Sequence, residues 1–176
     1  MRKIEVVPYD ALWPLLFDIE VEKLLGVLSH EILAIYHIGS TSVDGLYAKP
    51  VIDIMPVVRN ISRIDRFTSG MEPLGYEGKG ENGIVGRRFF MKGGDDRTHH
   101  VHIFEVGSPH IKRHLAFRDY LRQHPRTAEH YSSLKLDLAA HFPDDMDAYI
   151  DGKNRFVQET EQKALAWYRQ KGSSQG

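Results

Sequence analysis

The chain of 176 residues is 41% apolar and 27% charged, which excludes a disordered protein. Its 23 Lys+Arg nearly cancel 24 Asp+Glu, so no global field draws it to nucleic acid or anionic lipid; general nucleic-acid binding is not expected, and any polyanion site must be local. With no cysteine there are no disulfides or thiolate metal sites, and the N-terminus has no signal-peptide core and no run reaches membrane-spanning length, so a cytoplasmic protein without a membrane partner is expected.

Lys3 to Val7 is short and β-prone. Trp13-Pro14 then opens a helix through about Ser29, with Phe17, Val21, Leu24, Leu25 and Leu28 at helical spacing and Asp18, Glu20, Glu22 and Lys23 as its solvated face. Ile32 to Ile38 is a strand that delivers His37 and Gly39 to its C-terminal end. A Gly/Ser/Thr loop leads to a second strand, Pro50 to Val58, in which Pro56 argues for an edge or an early end. Asn60 or Ser62 caps a helix from Ile64 to about Leu74. A short strand at Gly75-Tyr76, a glycine-rich loop from Gly78 to Gly86, and strands Arg87–Lys92 and Thr98–Val106 about the turn Gly93–Asp96 complete the β-rich part.

From Ser108 the period becomes helical. Ser108-Pro109 and Pro125 open two helices, and Asp144-Asp145 starts a third that runs to about Arg169. Strands followed by helices predict an α+β fold with a mixed sheet: a core over residues 1–107, a helical part over 108–171 and a disordered tail over 172–176.

The loop after Gly39 has the chemistry of a phosphate cradle, with backbone N–H groups and the hydroxyls of Ser40, Thr41 and Ser42. Lys49 supplies a charge, although an ordinary turn accounts for the same residues. It is not a Walker loop, because no glycine-lysine-serine/threonine ending follows. Asp53, between Ile52 and Ile54, costs on the order of several kcal/mol if buried without a partner. Its partner is either a metal or an arginine, Arg87 or Arg88. His100 and His102, two apart on a strand, share one face, with His99, Val101 and Ile103 opposite, and add two imidazoles to an Asp53 metal site if the strands adjoin. On the helix after Ser108, His114, Arg118 and Arg122 fall at spacings of four. Arg118 lies in an apolar stretch suited to gripping a charged substrate, and Arg122 reads as a solvated basic face; Tyr131 and Lys135, also four apart, allow a weaker version of the same argument.

The segments HIGSTSVDGLYAKPVIDI, GRRFF, HHVHIF, HLAFRDYLRQHP and YSSLKLDLAAHF together resemble the GrpB family, small bacterial and archaeal proteins also found fused to dephospho-coenzyme A kinase. The resemblance runs from about Ile4 to Tyr168 and implies the nucleotidyltransferase-superfamily fold. It further implies a glycine-serine loop that holds nucleotide phosphates and a strand with two acids, one residue apart, that hold divalent metals. Gly39 and Ser40 match the loop and Asp53 the second acid; the first falls on Val51, which ligates nothing. Two-metal phosphoryl chemistry needs carboxylates for two ions about 4 Å apart. Either Asp53, His100 and His102 hold one metal (Mg, Mn or Zn), with Lys49, Arg87, Arg88 and Arg118 as phosphate partners and Asp53 catalytic in nucleotidyl transfer, or the chain binds a nucleotide or phosphorylated small molecule without turning it over. The second alternative is a ligand- or partner-binding module near coenzyme A metabolism. A metal-dependent hydrolase of a phosphorylated compound is a third.

Overall fold

A computed structural model describes residues 3–174. These divide into two compact units. The sheet unit comprises Asp10–Ile38 and Val51–Ile111; the helical unit comprises the chain up to Tyr9, Gly39–Pro50 and everything from Lys112 onward.

In the sheet unit, helix α1 (Trp13–Leu28) starts where Pro14 fits the first turn, and the Leu12 N–H donates to the Asp10 side chain at 2.9 Å. It buries Trp13, Glu20, Leu24 and Leu28, while Leu12, Leu15, Leu16 and Ile19 remain exposed. Glu20 therefore does not lie on a solvated face. It is only 2% exposed because Tyr76 Oη and Lys92 Nζ donate to its carboxylate at 2.8 and 3.0 Å.

Five strands follow: β1 (Ile32–Ile38), β2 (Ile52–Val58), β3 (Tyr76–Gly78), β4 (Arg87–Lys92) and β5 (His99–Glu105). They form one mixed sheet in the order β1-β2-β5-β4-β3, in which only the β2/β5 pair is parallel. β2 is an interior strand, next to the central β5, and its Ile52, Ile54, Met55 and Val58 are all but inaccessible. Pro56 consequently sits inside the sheet and not at an edge. It lies opposite Ile35 of β1, and on its other side the β5 register passes from Ile54↔Val101 to Val57↔Phe104 without a partner for it, which accommodates the missing N–H.

Asn60 caps the next segment through the Ser62 N–H at 3.0 Å, but the predicted helix is a succession of 3-10 turns around one α-turn, α2 (Thr68–Met71). Ile64 and Met71 still point inward and are fully buried. The β4–β5 hairpin turns at Gly93, whose φ is +102° and where a Cβ would stand 2.4 Å from the Asp96 carbonyl oxygen; glycine is required there.

In the helical unit, α3 (Pro109–Gln123), α4 (Pro125–His141) and α5 (Met146–Ser174) follow one another; α3 begins in the sheet unit. The last runs five residues beyond the expected end, and the rest of the predicted tail, Gln175 and Gly176, lies outside the described residues. Val43, Leu46, Leu121 and Tyr131 form a buried cluster joined by Phe117, Ala128, Phe156 and Val157. The β-prone start contributes one isolated bridge, Val7 to Ala48. No helix among the described residues is long and apolar enough to cross a membrane.

Candidate functional site

Parallel pairing of β2 with β5 sets Asp53 directly beside His100, and the two-residue repeat of β5 returns His102 to the same face. Asp53 Oδ1 is 3.0 Å from His102 Nε2 and 3.5 Å from His100 Nδ1. The three donors lie within 4.8 Å of one another. Ligands about 2.0–2.2 Å from one ion stand roughly 3 Å apart, so this set is near the spacing that a single ion requires. Burial would push the Asp53 carboxyl up, but hydrogen bonds from His100 and His102 outweigh it and hold the group well below the usual carboxylate range. Asp53 is thus ionised, and a quarter of its side chain remains accessible. His100 Nε2 is buried without a hydrogen-bond partner.

Neither arginine offered by the sequence pairs with Asp53. Arg88 makes a two-pronged contact to Asp65 at 2.7 and 3.3 Å. Arg87 donates to the carbonyls of Glu81 and Asn82, and its Nη1 stands 3.3 Å from His102 Nδ1. A guanidinium only donates, so this contact makes Nδ1 an acceptor and leaves the ring proton on Nε2, facing Asp53. His99, on the opposite face, lies 3.7 Å from Glu20.

In the helical unit, Gly39 adopts φ +74° and ψ −173°, a conformation that favours glycine, and turns the chain into the single 3-10 turn Ser40–Ser42. Ser42 spends its hydroxyl on the Gly39 carbonyl, and Thr41 and Ser42 are buried. Arg122 is exposed, as a solvated basic face requires, and it also clamps this loop, donating to the Ser42 carbonyl at 2.9 and 2.7 Å. Arg118 pairs with its neighbour Asp119 at 2.9 Å.

The Ser40 hydroxyl has a different partner, the Lys135 ammonium or amine at 2.9 Å. Lys135 is 2% exposed, and its Nζ lies 4.2 Å from the centre of the Tyr131 ring. Burial, with Lys153 and Lys49 adding repulsion, pushes its pKa down to about 6. Lys49 and Lys153 stand 5.3 and 4.8 Å from the centre of the Tyr149 ring, and Tyr149 is fully buried with no hydrogen-bond partner for its hydroxyl. In the sequence Tyr149 belongs to the packing stripe of the last helix, and neither it nor Lys153 is marked as a site residue. Both fall on a long amphipathic helix, where a tyrosine reads as core and a lysine as solvated face. A cavity of about 510 Å³ in the same unit is lined by Tyr47, Leu121, Arg122, Ser132 and Leu136 among others.

Residues 3–163 match the model of a family described as GrpB protein. The UPF0157 protein YqkA of Bacillus subtilis is 48% identical over 175 residues, covering 99% of this chain and 51% of YqkA. A dephospho-CoA kinase of Mycobacterium tuberculosis is 27% identical over 187 residues, covering 92% of this chain and 46% of the kinase. The chain therefore spans about half the length of each. The crystal structure of conserved protein GrpB from Enterococcus faecalis superposes with a TM-score of 0.90 at 42% identity, over 93% of this chain and 99% of that one. The Cid1 poly(U) polymerase, in a mutant bound to MgATP, superposes at a TM-score of 0.50 and 14% identity, over 74% of this chain and 45% of that one. That likeness identifies the fold as nucleotidyltransferase-like and no more. Matched over nearly its whole length in sequence and in structure, the chain belongs to the GrpB protein family.

Proposed function

We propose that the chain binds a nucleotide or another phosphorylated small molecule with the help of one divalent metal, and that it transfers a nucleotidyl group. The observation that carries this reading is the Asp53, His100 and His102 set, three donors at ligand spacing on two adjacent interior strands of a nucleotidyltransferase-like sheet. One carboxylate and two imidazoles suit Mn²⁺ or Zn²⁺ better than Mg²⁺. A bound ion would supply Lewis-acid polarisation of a phosphoryl oxygen. With Val51 in place of a first acid, the chain provides for one ion and not two.

The protein's own part is to hold Asp53 ionised and its two histidines in register. His102 serves as a ligand through Nε2 only when its ring proton sits on Nδ1, so the Arg87 contact has to open. In the helical unit, Gly39 and Ser40 offer a backbone N–H and a hydroxyl to a phosphate, and Lys49 a positive charge. Ser42, Arg88 and Arg118 have the internal partners described above; Ser40, with Lys135 beside its hydroxyl, and Lys49 are the phosphate partners the proposal names.

The test is to titrate ATP, GTP, CTP and UTP by calorimetry with Mn²⁺, Zn²⁺, Mg²⁺ or EDTA, and to follow pyrophosphate release from whichever binds. Pyrophosphate release that requires metal and is abolished in Asp53→Asn supports transfer; release retained in Asp53→Asn overturns it. A second reading, a ligand-binding module that has lost turnover and serves coenzyme A metabolism, is favoured by Val51 and by the dephospho-CoA kinase relative. It predicts binding that ignores both metal and Asp53 and no pyrophosphate release with any metal.

A further inference from the structure

The helical unit contains a second group of charges, distinct in composition from the metal donors. Lys135 is almost fully buried yet makes no ion pair among the described residues; its neighbours are the Ser40 hydroxyl and the Tyr131 ring. The charges that bear on it most are those of Lys153 and Lys49, both of its own sign. Tyr149, whose ring both of those lysines approach, is fully buried with an unsatisfied hydroxyl. A lysine placed this way destabilises the folded protein, because its amine is desolvated and repelled without an opposing carboxylate. A buried phenol without a partner adds a further cost. Two such costs at one place call for a ligand that removes both.

We infer that Lys49, Lys135 and Lys153, with the hydroxyls of Ser40 and Tyr149, form a metal-independent site for a multiply charged oxyanion, and that a polyphosphate chain is the class it takes. This deepens the phosphorylated-ligand proposal above and rests on it for the ligand class alone. The buried amine of Lys135, two further lysines whose charges bear on it and two hydroxyls can donate to several oxygens at once, which a chain of phosphates offers and a single carboxylate does not. Side chains from three places in the sequence converge: Ser40 and Lys49 lie near the two ends of the Gly39–Pro50 segment, Lys135 and Tyr131 come from α4, and Lys153 and Tyr149 from α5.

The site also charges itself on binding. An amine held largely neutral at pH 7.5 gains a proton when an anion arrives beside it, so binding takes up a proton from buffer. A lysine that merely fills the core and caps Ser40 would show no such uptake.

The probe is inorganic tripolyphosphate, titrated by calorimetry at pH 7.5 in EDTA, in HEPES and in Tris, whose different ionisation heats report proton uptake. Pyrophosphate, orthophosphate, sulfate and ATP are run beside it. The expected result is saturable binding that weakens from tripolyphosphate to pyrophosphate to orthophosphate, with proton uptake. Lys135→Met, near in volume, should weaken tripolyphosphate at least tenfold and abolish the uptake while raising the melting temperature. Lys153→Met, on a half-buried helix position, should weaken binding several-fold with the fold intact. ATP binding tighter than tripolyphosphate assigns the anion to a nucleotide; equal affinity assigns it to the phosphate chain. The proposal is overturned if tripolyphosphate does not bind, if it binds no better than sulfate, if both lysine variants bind it like the wild type, or if Lys135→Met lowers the melting temperature while Lys153→Met leaves binding unchanged. Because EDTA is present throughout, a failure of the metal centre leaves this result untouched, and a failure here leaves the metal-dependent titration of nucleotides to be judged by itself.

Discussion

Asp53 and His100 occupy the same register position on two adjacent parallel strands, and His102 reaches the same Asp53 oxygen from one repeat further on. An aspartate on an interior strand thereby has two imidazoles as its nearest partners, where the sequence also allowed an arginine. Its contact with His102 depends in turn on Arg87, which fixes the ring proton on the nitrogen that faces Asp53.

Arg87 is therefore predicted to oppose metal binding. Histidines that ligate metals usually donate their second N–H to a carboxylate or carbonyl; His102 instead faces a cation. Arg87→Met should tighten Zn²⁺ binding by roughly tenfold, equivalent to about 1.4 kcal/mol. It should also cost about 1–3 kcal/mol in stability, since the Glu81 and Asn82 carbonyls lose their donors. Metal titration and chemical denaturation of one variant check both directions.

Lys135 gives the protein an unusual dependence on pH. Its folded pKa of about 6 lies far below the ordinary lysine value near 10.5, so between these values the unfolded chain binds a proton that the folded chain does not. Stability contributed through this group must rise with pH across that window, and the penalty is complete below about pH 6. The melting-temperature advantage of Lys135→Met over wild type should be greatest near pH 6 and shrink toward zero by about pH 10. An advantage independent of pH would contradict the assignment.

Glu20 has the opposite sign. Burial raises its carboxyl, but hydrogen bonds from Tyr76 and Lys92 outweigh that and leave it below its ordinary value. Its contribution is present above about pH 4.5 and is lost as pH falls further. Glu20→Ala, which strands the buried Tyr76 hydroxyl, should cost about 2–4 kcal/mol in urea denaturation at pH 7. Glu20→Gln should lose less stability than wild type between pH 5 and pH 3.

Gly152 in α5 tests the α4–α5 packing. Helix propensity alone predicts that alanine stabilises by about 1 kcal/mol. A Cβ there, however, would meet Leu138 Cδ2 at 2.3 Å, and overpacking of this kind costs about 1–3 kcal/mol. Gly152→Ala should lower the melting temperature, and combining it with Leu138→Ala should return part of the loss as a favourable coupling.

Much of the sheet was legible because β-strands reveal themselves by period and punctuation. The bounds of Arg87–Lys92 follow from the glycines that flank it, and the shared face of His100 and His102 from their spacing alone. The position of Pro56 was not legible, since a proline is tolerated inside a sheet where one neighbour leaves its ladder open, and no local signal announces that. Glu20 looked solvated for a similar reason: its partners, Tyr76 and Lys92, lie 56 and 72 residues away. The role of Arg122 as a loop clamp and the convergence of Ser40 with Lys135 depend on contacts 80 and 95 residues apart. Spacings of four on a helix identify neighbours along that helix only. They leave open which backbone carbonyl or distant hydroxyl the side chain meets.

The most direct test of the metal centre is a calorimetric titration of the chelator-treated protein with Mn²⁺ and Zn²⁺, alongside Asp53→Ala and His102→Ala. The arrangement of Asp53, His100 and His102 predicts one equivalent of metal for the wild type, with affinity reduced at least tenfold in each variant and both variants folded. Failure of the wild type to bind either ion, or equal binding by wild type and Asp53→Ala, would contradict it.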